Sequence, residues 1–268
     1  MVTLSARLPL IGTPTAQVGR HSALLAAWAT EFVQGQASLD AVVAAMTGRD
    51  EQHLVDGLAG GSDLTALLAE VRTAAPAGLR LVLPVPGDPR GLAGPGPFTD
   101  AAIAAGEAVR LQTDGPAYGL VPDVTSHGNE LDGFTVSVRW QVFTAPGAGP
   151  DPAGTRRQAE HELTDALHVA TGALAALDVA RLAPEAASAL SRIRSRRPSI
   201  ALPPGHPGAG LWARADGLAA IVDLAAANDG AAYDRTSAAE RREVLRHLAG
   251  AVRRGKTAAI NARLDLPD

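Results

Sequence analysis

Cysteine is absent from the 268-residue chain. Without thiols the protein has no disulfides, thiolate nucleophiles, cysteine-based zinc sites or iron–sulfur clusters.

Lysine and aromatic residues are also scarce. Lys256 is the only lysine among 24 basic residues, and aromatic residues make up 3% of the chain. The hydrophobic share is 46%, but much of it is alanine, which favours helices and buries little area. The excess of arginine and alanine is typical of a GC-rich bacterial genome. We expect Trp28, Phe32, Trp140 and Trp212 to anchor separate packing clusters.

Long apolar runs are missing as well. No stretch approaches the 18 or more apolar residues of a membrane span, so no membrane association is expected. Residues 1–12 lack the long apolar region and small-residue cleavage site of a secretory signal. We therefore predict a cytoplasmic protein.

The clearest pattern in the chain is the alternation of apolar and polar residues at 134–143. It predicts a strand with one side against a core and the other toward water or a polar partner. The polar side is a candidate contact surface, and Arg139 on it is a candidate ligand-binding residue. The side chains expected to be shielded by helices are Val136, Val138, Trp140 and Val142.

The patterns together predict an α+β fold, with N-terminal helices and a small, mainly antiparallel sheet. Helical spacing predicts a helix capped by Ser38, a third helix through Leu54 and Leu58, and a fourth starting at Ser62 or Asp63. Short links between successive strands favour antiparallel pairing. The predicted strands are Leu79–Leu83, Val109–Gln112, Tyr118–Val124 and Phe134–Thr144.

A segment rich in proline, glycine and aspartate at 145–154 predicts a linker. We predict an α+β domain with an antiparallel sheet at 1–148. Residues 155–268 are predicted to form a helical domain or a helical layer packed on the first. Only helical patterns follow the linker, so this C-terminal region is expected to be all-helical.

Residues 250–257 fit the phosphate-loop pattern G-x-x-x-x-G-K-[ST]. A phosphate loop follows a strand and precedes a helix, so that backbone N–H groups meet the phosphates. Here the preceding residues have a helical pattern, and too few residues follow for a nucleotide-binding fold. We therefore interpret the segment as an exposed helical turn with cations near a C-terminus.

Three polar residues on one helix have the spacing of a metal site. His161, Asp165 and His168 lie at i, i+4 and i+7, which places them on one helix face. They are displaced by about 200° from the apolar stripe that includes Leu163 and Leu167. Because metal sites in helical bundles point inward, a solvated face is the preferred interpretation, and we predict no metal or other cofactor.

Two arginine clusters could contact phosphates. One comprises Arg192, Arg194, Arg196 and Arg197; the other comprises Arg242, Arg246 and Arg253. No aromatic residues interleave with them, and the net charge of the chain is −4. A basic footprint alone gives no docking geometry, so nucleic-acid binding is a minor alternative.

The remaining candidate for chemistry is the loop rich in proline and glycine at 84–97. It carries Asp88 and Arg90, while Asp123 and His127 lie near strand ends. A histidine with a carboxylate is the minimum for acid–base catalysis, so Asp88, Asp123 and His127 are candidate catalytic residues and Arg90 a candidate ligand-binding residue. No serine or cysteine nucleophile motif accompanies them.

None of these motifs meets its structural requirements on sequence alone. The leading hypothesis is therefore a non-catalytic binding or regulatory protein that acts on a protein partner or as a homo-oligomer. The alternatives are a cofactor-free enzyme that uses His127 with Asp88 or Asp123, and a nucleic-acid-associated protein. The polar side of the strand at 134–143 and the loop at 84–97 are the expected contact surfaces.

Overall fold

The computed structural model describes residues 19–47, 51–57, 62–74, 77–111, 117–129, 133–145, 154–176, 184–227 and 235–265. Helices and a five-stranded mixed sheet make up an α+β fold, as predicted. None of the helices in these ranges is long and apolar enough to cross a membrane. In chain order the elements are α1 (Arg20–Val33), α2 (Leu39–Thr47), β1 (Glu51–Asp56), α3 (Leu64–Ala74), β2 (Leu79–Val82), α4 (Pro97–Ala105), β3 (Ala108–Leu111), β4 (Ala117–Asn129), β5 (Gly133–Ala145), α5 (Arg156–Ala176), α6 (Pro184–Ser195), α7 (Ala209–Ala227) and α8 (Arg235–Asn261).

The sheet has the order β1-β5-β4-β3-β2. Strands β2 to β5 pair antiparallel in sequence order, as their short links predicted. Strand β1 adds to the other side of β5 in parallel. The sheet is therefore mixed, and only its four later strands follow the predicted meander.

The helix predicted through Leu54 is wrong, because residues 51–56 form β1. His53 and Val55 are buried while Gln52 and Leu54 are exposed, which is the period-two pattern of a strand. This pattern is short, and its pairing partner lies more than 80 residues later, opposite Val138 and Trp140 on β5. Leu58 lies outside the described residues.

Strand β5 supplies the centre of the main core. Val138 and Trp140 are fully buried beneath helices, and Val136 and Val142 are half-buried. Trp212 joins the same cluster, and Trp28 and Phe32 pack against it. The expectation of separate aromatic clusters is therefore wrong. Alanines along α1 let the helix approach the sheet closely, so distant parts of the chain share one core; they are Ala23, Ala26, Ala27 and Ala29.

A second, smaller cluster covers part of the other face of the sheet. Helix α4 places Phe98 over β4 and β5, where its ring lies 6.1 Å from that of Phe143. Gly119 makes this approach possible, because a Cβ atom there would lie 2.2 Å from the Phe98 ring. Farther along the same face Arg139 remains exposed to solvent.

Helix α8 connects the C-terminal helices to the sheet. It packs against α5 and α7 and also contacts β2 and α1. The main core contains Leu25 from α1 together with Leu163 and Trp212 from the C-terminal helices. The division into domains at residues 145–154 stays a prediction, and the linker itself extends into residues outside the description.

The free edge of β2 is closed by side chains. The Asn261 amide accepts from the Leu81 N–H at 2.8 Å and donates to the Leu81 carbonyl at 3.2 Å. The Thr30 hydroxyl accepts from the Leu79 N–H at 3.0 Å. These bonds satisfy backbone groups that an edge strand would otherwise expose.

Candidate functional site

The loop after β2 is shaped by two consecutive tight turns. Backbone hydrogen bonds join Val85 and Asp88 in both directions, at 3.1 and 2.9 Å. Pro86 and Gly87, with φ of 84° at Gly87, supply the residues that such a turn favours. A second turn follows, with a hydrogen bond from the Leu92 N–H to the Pro89 carbonyl at 3.0 Å. Asp88 is thereby held at the junction of the turns.

Both carboxylate oxygens of Asp88 are bound by arginines. Arg90 Nε donates to Oδ1 at 2.8 Å, and Arg253 Nη2 from helix α8 donates to Oδ2 at 2.8 Å. Burial disfavours the carboxylate, but hydrogen bonds from Arg253 and Arg90 outweigh it and lower the pKa of Asp88. A carboxylate held ionised in this way is a weak base.

The loop and α8 enclose a small pocket beside this ion pair. Its volume is about 20 Å³, enough for roughly one water-sized group. The pocket is lined by Leu83, Asp88, Arg90, Gly91, Arg253, Arg254 and Thr257. Asp88 and Arg90 lie together beside this pocket, and the arginine that joins them comes from the far end of the sequence. Their catalytic and ligand-binding roles stay predictions.

The other sheet candidates lie on the two long central strands. Asp123 on β4 stands opposite Arg139 on β5, and Arg139 binds Asp56 on β1 at 2.8 Å. His127 pairs with Thr135 near the end of β4, but its side chain lies outside the described parts of the structure. A catalytic role for His127 with either aspartate stays a prediction.

The candidate metal residues on α5 are all exposed. His161, Asp165 and His168 point to solvent, while Leu163 on the opposite side is fully buried. Within the described ranges no group of three histidine, aspartate or glutamate side chains is arranged to hold a metal. The three side chains therefore lie on a solvated face of α5, and the absence of a metal there stays a prediction.

A larger groove lies between the α1–α2 turn and the loop before α7. Its volume is about 440 Å³, which is in the range of small-molecule sites. The indole of Trp28 donates to the Ala201 carbonyl at 2.9 Å and fixes one wall to the other. The groove is lined by Trp28, Glu31, Gln36, Ala37, Ser38, Ala41, Pro203, Pro204 and Arg263.

An ion pair is part of the lining of this groove. Arg263 follows α8 and binds Glu31 of α1 at 3.2 Å, while its Nε donates to Gln34 at 3.0 Å. Burial raises the pKa of Glu31, and the neighbouring Arg263 opposes that rise. The sequence analysis missed this groove. The signal that could have indicated it is Glu31, an acidic residue on the otherwise apolar face of α1.

The phosphate-loop match lies inside α8, as its helical context predicted, but it is not an exposed turn. Lys256 is 1% exposed, with its ammonium 3.3 Å from Asp216 and 5.2 Å from the centre of the Trp212 ring. Burial lowers the pKa of Lys256, and Asp216 opposes this shift. The only lysine of the chain is thus an internal group on the packed side of the helix, which corrects the earlier interpretation.

Two further buried acids stabilise local structure. Asp216 accepts from the backbone N–H and the hydroxyl of Ser199, at 2.8 and 2.7 Å, and so holds the segment after α6. Glu107 accepts from the Ser22 N–H at 2.8 Å at the start of α1, where a negative charge is favourable. Burial raises the pKa of Glu107, against this hydrogen bond.

A histidine cluster next to β1 was not predicted. Trp140 Nε1 donates to His53 Nδ1 at 3.1 Å, which leaves His53 Nε2–H to donate to the Met46 carbonyl at 3.0 Å. Glu51 binds Arg20 at 2.9 Å and lies 4.0 Å from His21 Nε2. Burial lowers the pKa of His21 to about 4, although Glu51 opposes it, so this ring is neutral at pH 7.

Several of the clustered arginines are engaged within the protein. Arg253 binds Asp88, Arg196 contacts Asp216 at 3.3 Å, and Arg246 pairs with Glu243 one turn earlier on α8. The side chain of Arg194 lies outside the described residues. These contacts remove charges from the footprint on which nucleic-acid binding would depend.

Two family descriptions match successive parts of the chain. "Rv1486c-like protein, N-terminal domain" matches residues 22–155, and "Rv1486c-like protein, C-terminal domain" matches residues 157–257. The uncharacterized protein Rv1486c of Mycobacterium tuberculosis is 33% identical over 163 residues, which cover 57% of this chain and 56% of the relative. The uncharacterized protein MAV321 of Mycobacterium avium is 40% identical over 80 residues, 26% of each chain.

The alignment with Rv1486c spans about half the length of that relative. No solved structure matches the chain. The first match ends at residue 155 and the second begins at residue 157, and together they run from α1 into α8. The chain therefore belongs to the Rv1486c-like protein family.

Proposed function

We propose that the protein is a non-catalytic binding protein that holds a small molecule in the groove between the α1–α2 turn and residues 201–204. The observation that carries this proposal is the groove itself, about 440 Å³ in volume, with Trp28 and two prolines in its walls. Ligand sites are concave, partly aromatic and often located where two parts of a chain meet. Here α1 and α2 form one wall, and the C-terminal half of the chain forms the other.

The chemistry of the groove favours a neutral ligand with a flat apolar part. Trp28, Pro203 and Pro204 offer rigid apolar surfaces that lose little entropy on binding. The two charged residues of the lining, Glu31 and Arg263, already pair with each other at 3.2 Å. The pair leaves no net charge to attract an ionic ligand, whereas the polar edges of a neutral ligand can bond to it.

The alternative of a cofactor-free enzyme has less support. Its best described base, Asp88, is bound by two arginines, and its pKa is lowered. A carboxylate that is bound by arginines in this way commonly stabilises structure instead of acting as a catalytic base. His127 with Asp123 is a second acid–base candidate from the sequence.

The finer expectations from the sequence also remain proposals. We infer a cytoplasmic location and a C-terminal region that is helical throughout. A protein partner or a second copy of the chain would meet the open part of the sheet around Arg139, which is about half exposed.

A thermal-shift screen of neutral metabolites against the full chain would test the proposal. A ligand at one hundred times its Kd stabilises by about 2.7 kcal/mol, which is roughly 5 to 10 °C in a protein of this size. The critical variant is Ala41→Leu, which fills the groove from α2. Ala44→Leu is the matched control, because Ala44 lies on the same helix but is exposed outside the groove.

The proposal predicts hits that stabilise the wild type and Ala44→Leu equally and lose their effect on Ala41→Leu. Hits that stabilise both variants equally would place the ligand elsewhere and contradict the groove. Turnover of any hit on incubation with the protein would contradict the non-catalytic part.

A further inference from the structure

The pocket beside Asp88 carries an excess of positive charge. Arg90, Arg253 and Arg254 line it. Asp88 pairs with Arg90 and Arg253, and Glu162 on α5 pairs with Arg254 at 2.7 Å. Three cations against two carboxylates leave one net positive charge at the mouth of the pocket.

The arginines also retain hydrogen-bonding capacity. A guanidinium carries five N–H donors in a planar fork, and Asp88 engages one nitrogen from each of Arg90 and Arg253. The Arg253 and Arg254 side chains are 17% and 19% exposed, so they are largely removed from water, where charged hydrogen bonds are stronger. Arg90, at 49% exposed, stands at the entrance.

We propose that this pocket binds a phosphate group through the side chains of Arg90, Arg253 and Arg254. Arginine forks match the geometry of phosphate oxygens and bind them in pairs. Lys256 does not line this pocket, and the pocket shares no lining residue with the groove. It requires no phosphate-loop backbone, because the N–H groups of residues 253–257 are used within the helix.

The size of the pocket determines how such a ligand enters. About 20 Å³ admits a single phosphoryl oxygen, while the rest of the group stays at the mouth. Arg90 swings over it, since its half-exposed side chain is held by one bond to Asp88. The turn beneath Arg90 is fixed by Arg110, which donates to the Gly91 carbonyl at 2.9 Å.

Asp88 acts in this site as an internal competitor. It occupies the same arginines that the phosphate requires, and it carries the same sign of charge. Removing its charge while keeping its shape should therefore strengthen phosphate binding. A purely structural ion pair would give no such gain.

The test is calorimetric titration of the full chain with inorganic phosphate at constant ionic strength. We expect a dissociation constant of about 1 mM, typical of a small anion on a partly open site. Arg90→Gln should weaken binding about tenfold or more, because a charge-assisted hydrogen bond is lost. Asp88→Asn should tighten it about threefold or more, because a nearby like charge is removed.

Arg139→Gln is the matched control. Arg139 is also 49% exposed and also pairs with one aspartate at 2.8 Å, but it lies on β5. The Arg139→Gln protein should bind phosphate as the wild type does, and so should the groove variant Ala41→Leu. Absence of binding to the wild type, or equal losses for Arg90→Gln and Arg139→Gln, would overturn the proposal. Weaker binding by a folded Asp88→Asn would overturn it as well; if that variant does not fold, the two arginine variants decide.

Discussion

The two ends of α8 use charged and polar residues in opposite ways. Near its start Arg246 and Glu243 pair with each other one turn apart, with side chains 76% and 62% exposed. Near its end Lys256 and Asn261 are each 1% exposed and bond to other elements. Exposed pairs contribute little to stability, whereas buried polar groups are costly to leave unpaired. The comparison shows that burial, more than residue type, decides what a charge does in this helix.

Removing the buried ammonium of Lys256 should have the largest effect on the stability of the protein. Lys256→Met leaves Asp216 as a buried carboxylate that is still bonded to Ser199 and to the half-exposed Arg196 but has lost its buried cation. We expect the free energy of unfolding to fall by about 3 kcal/mol. Urea denaturation followed by circular dichroism measures it.

The matched control for this change is Arg246→Met on the exposed end of the same helix, which should leave the urea midpoint unchanged. Adding Asp216→Asn to Lys256→Met should recover part of the loss, because the buried carboxylate that has lost its buried cation is itself removed. Equal midpoints for Lys256→Met and Arg246→Met would break the comparison.

The amide at the last turn of α8 should have the next largest effect. Asn261→Ala removes both hydrogen bonds to Leu81 and exposes the edge of β2. We expect a loss of about 2 kcal/mol and faster amide hydrogen exchange along β2. Unchanged exchange at Leu81 would show that water replaces Asn261 at this edge.

A buried histidine beside the end of α8 should give a pH-dependent effect. Burial, followed by the charge of Arg263, lowers the pKa of His206 to about 4, so folding excludes a proton that the unfolded chain binds below 6.5. Stability should therefore fall as the pH drops from 6.5 toward 4, by up to about 1.4 kcal/mol per pH unit from this residue.

His206→Asn tests this contribution. In the wild type, His206 Nδ1 accepts a hydrogen bond from the Gly208 N–H at 3.2 Å. Asn can accept the same bond through its side-chain oxygen, but it does not titrate. The pH slope of the unfolding free energy should decrease for this variant between pH 6.5 and 4. His21, with a pKa also lowered to about 4, should sustain the remaining slope. An unaltered slope would mean that His206 is protonated in the folded protein.

The smallest effect is expected at the exposed pair. Glu243→Gln removes the partner of Arg246 on an exposed helix face. Because solvent screens this pair, the thermal midpoint should not change measurably at 0.15 M salt. A clear loss of stability would show that the start of α8 contributes more than its exposure indicates.

Local patterns in the sequence predicted much of the fold. Alternation at 134–143 predicted β5, and Ser38 and Asp63 cap the helices that follow them, with bonds to Ala41 and Ala66 at 3.2 and 2.8 Å. These features depend on neighbouring residues alone. Strand β1 was missed because its six residues form a strand only against β5, far along the chain.

The candidate sites were harder to predict, because their residues meet only in the folded chain. Asp88 and Arg253 are 165 residues apart, and Trp28 and Ala201 are 173 residues apart. The burial of Lys256, by contrast, could have been read from the sequence. Lys256 follows Leu248 and Val252 at four-residue spacing, which places it on the apolar side of α8.

The groove can be tested directly through the indole of Trp28, since the chain has only three tryptophans. Two of them, Trp140 and Trp212, are at most 1% exposed in the core, whereas Trp28 lines the groove and donates to Ala201. A ¹H–¹⁵N spectrum of the indole region, assigned with Trp28→Phe, is recorded while a stabilising ligand is added. If the ligand binds in the groove, the Trp28 resonance should shift while the resonances of Trp140 and Trp212 stay in place. A Trp28 resonance that remains fixed at saturation would contradict it.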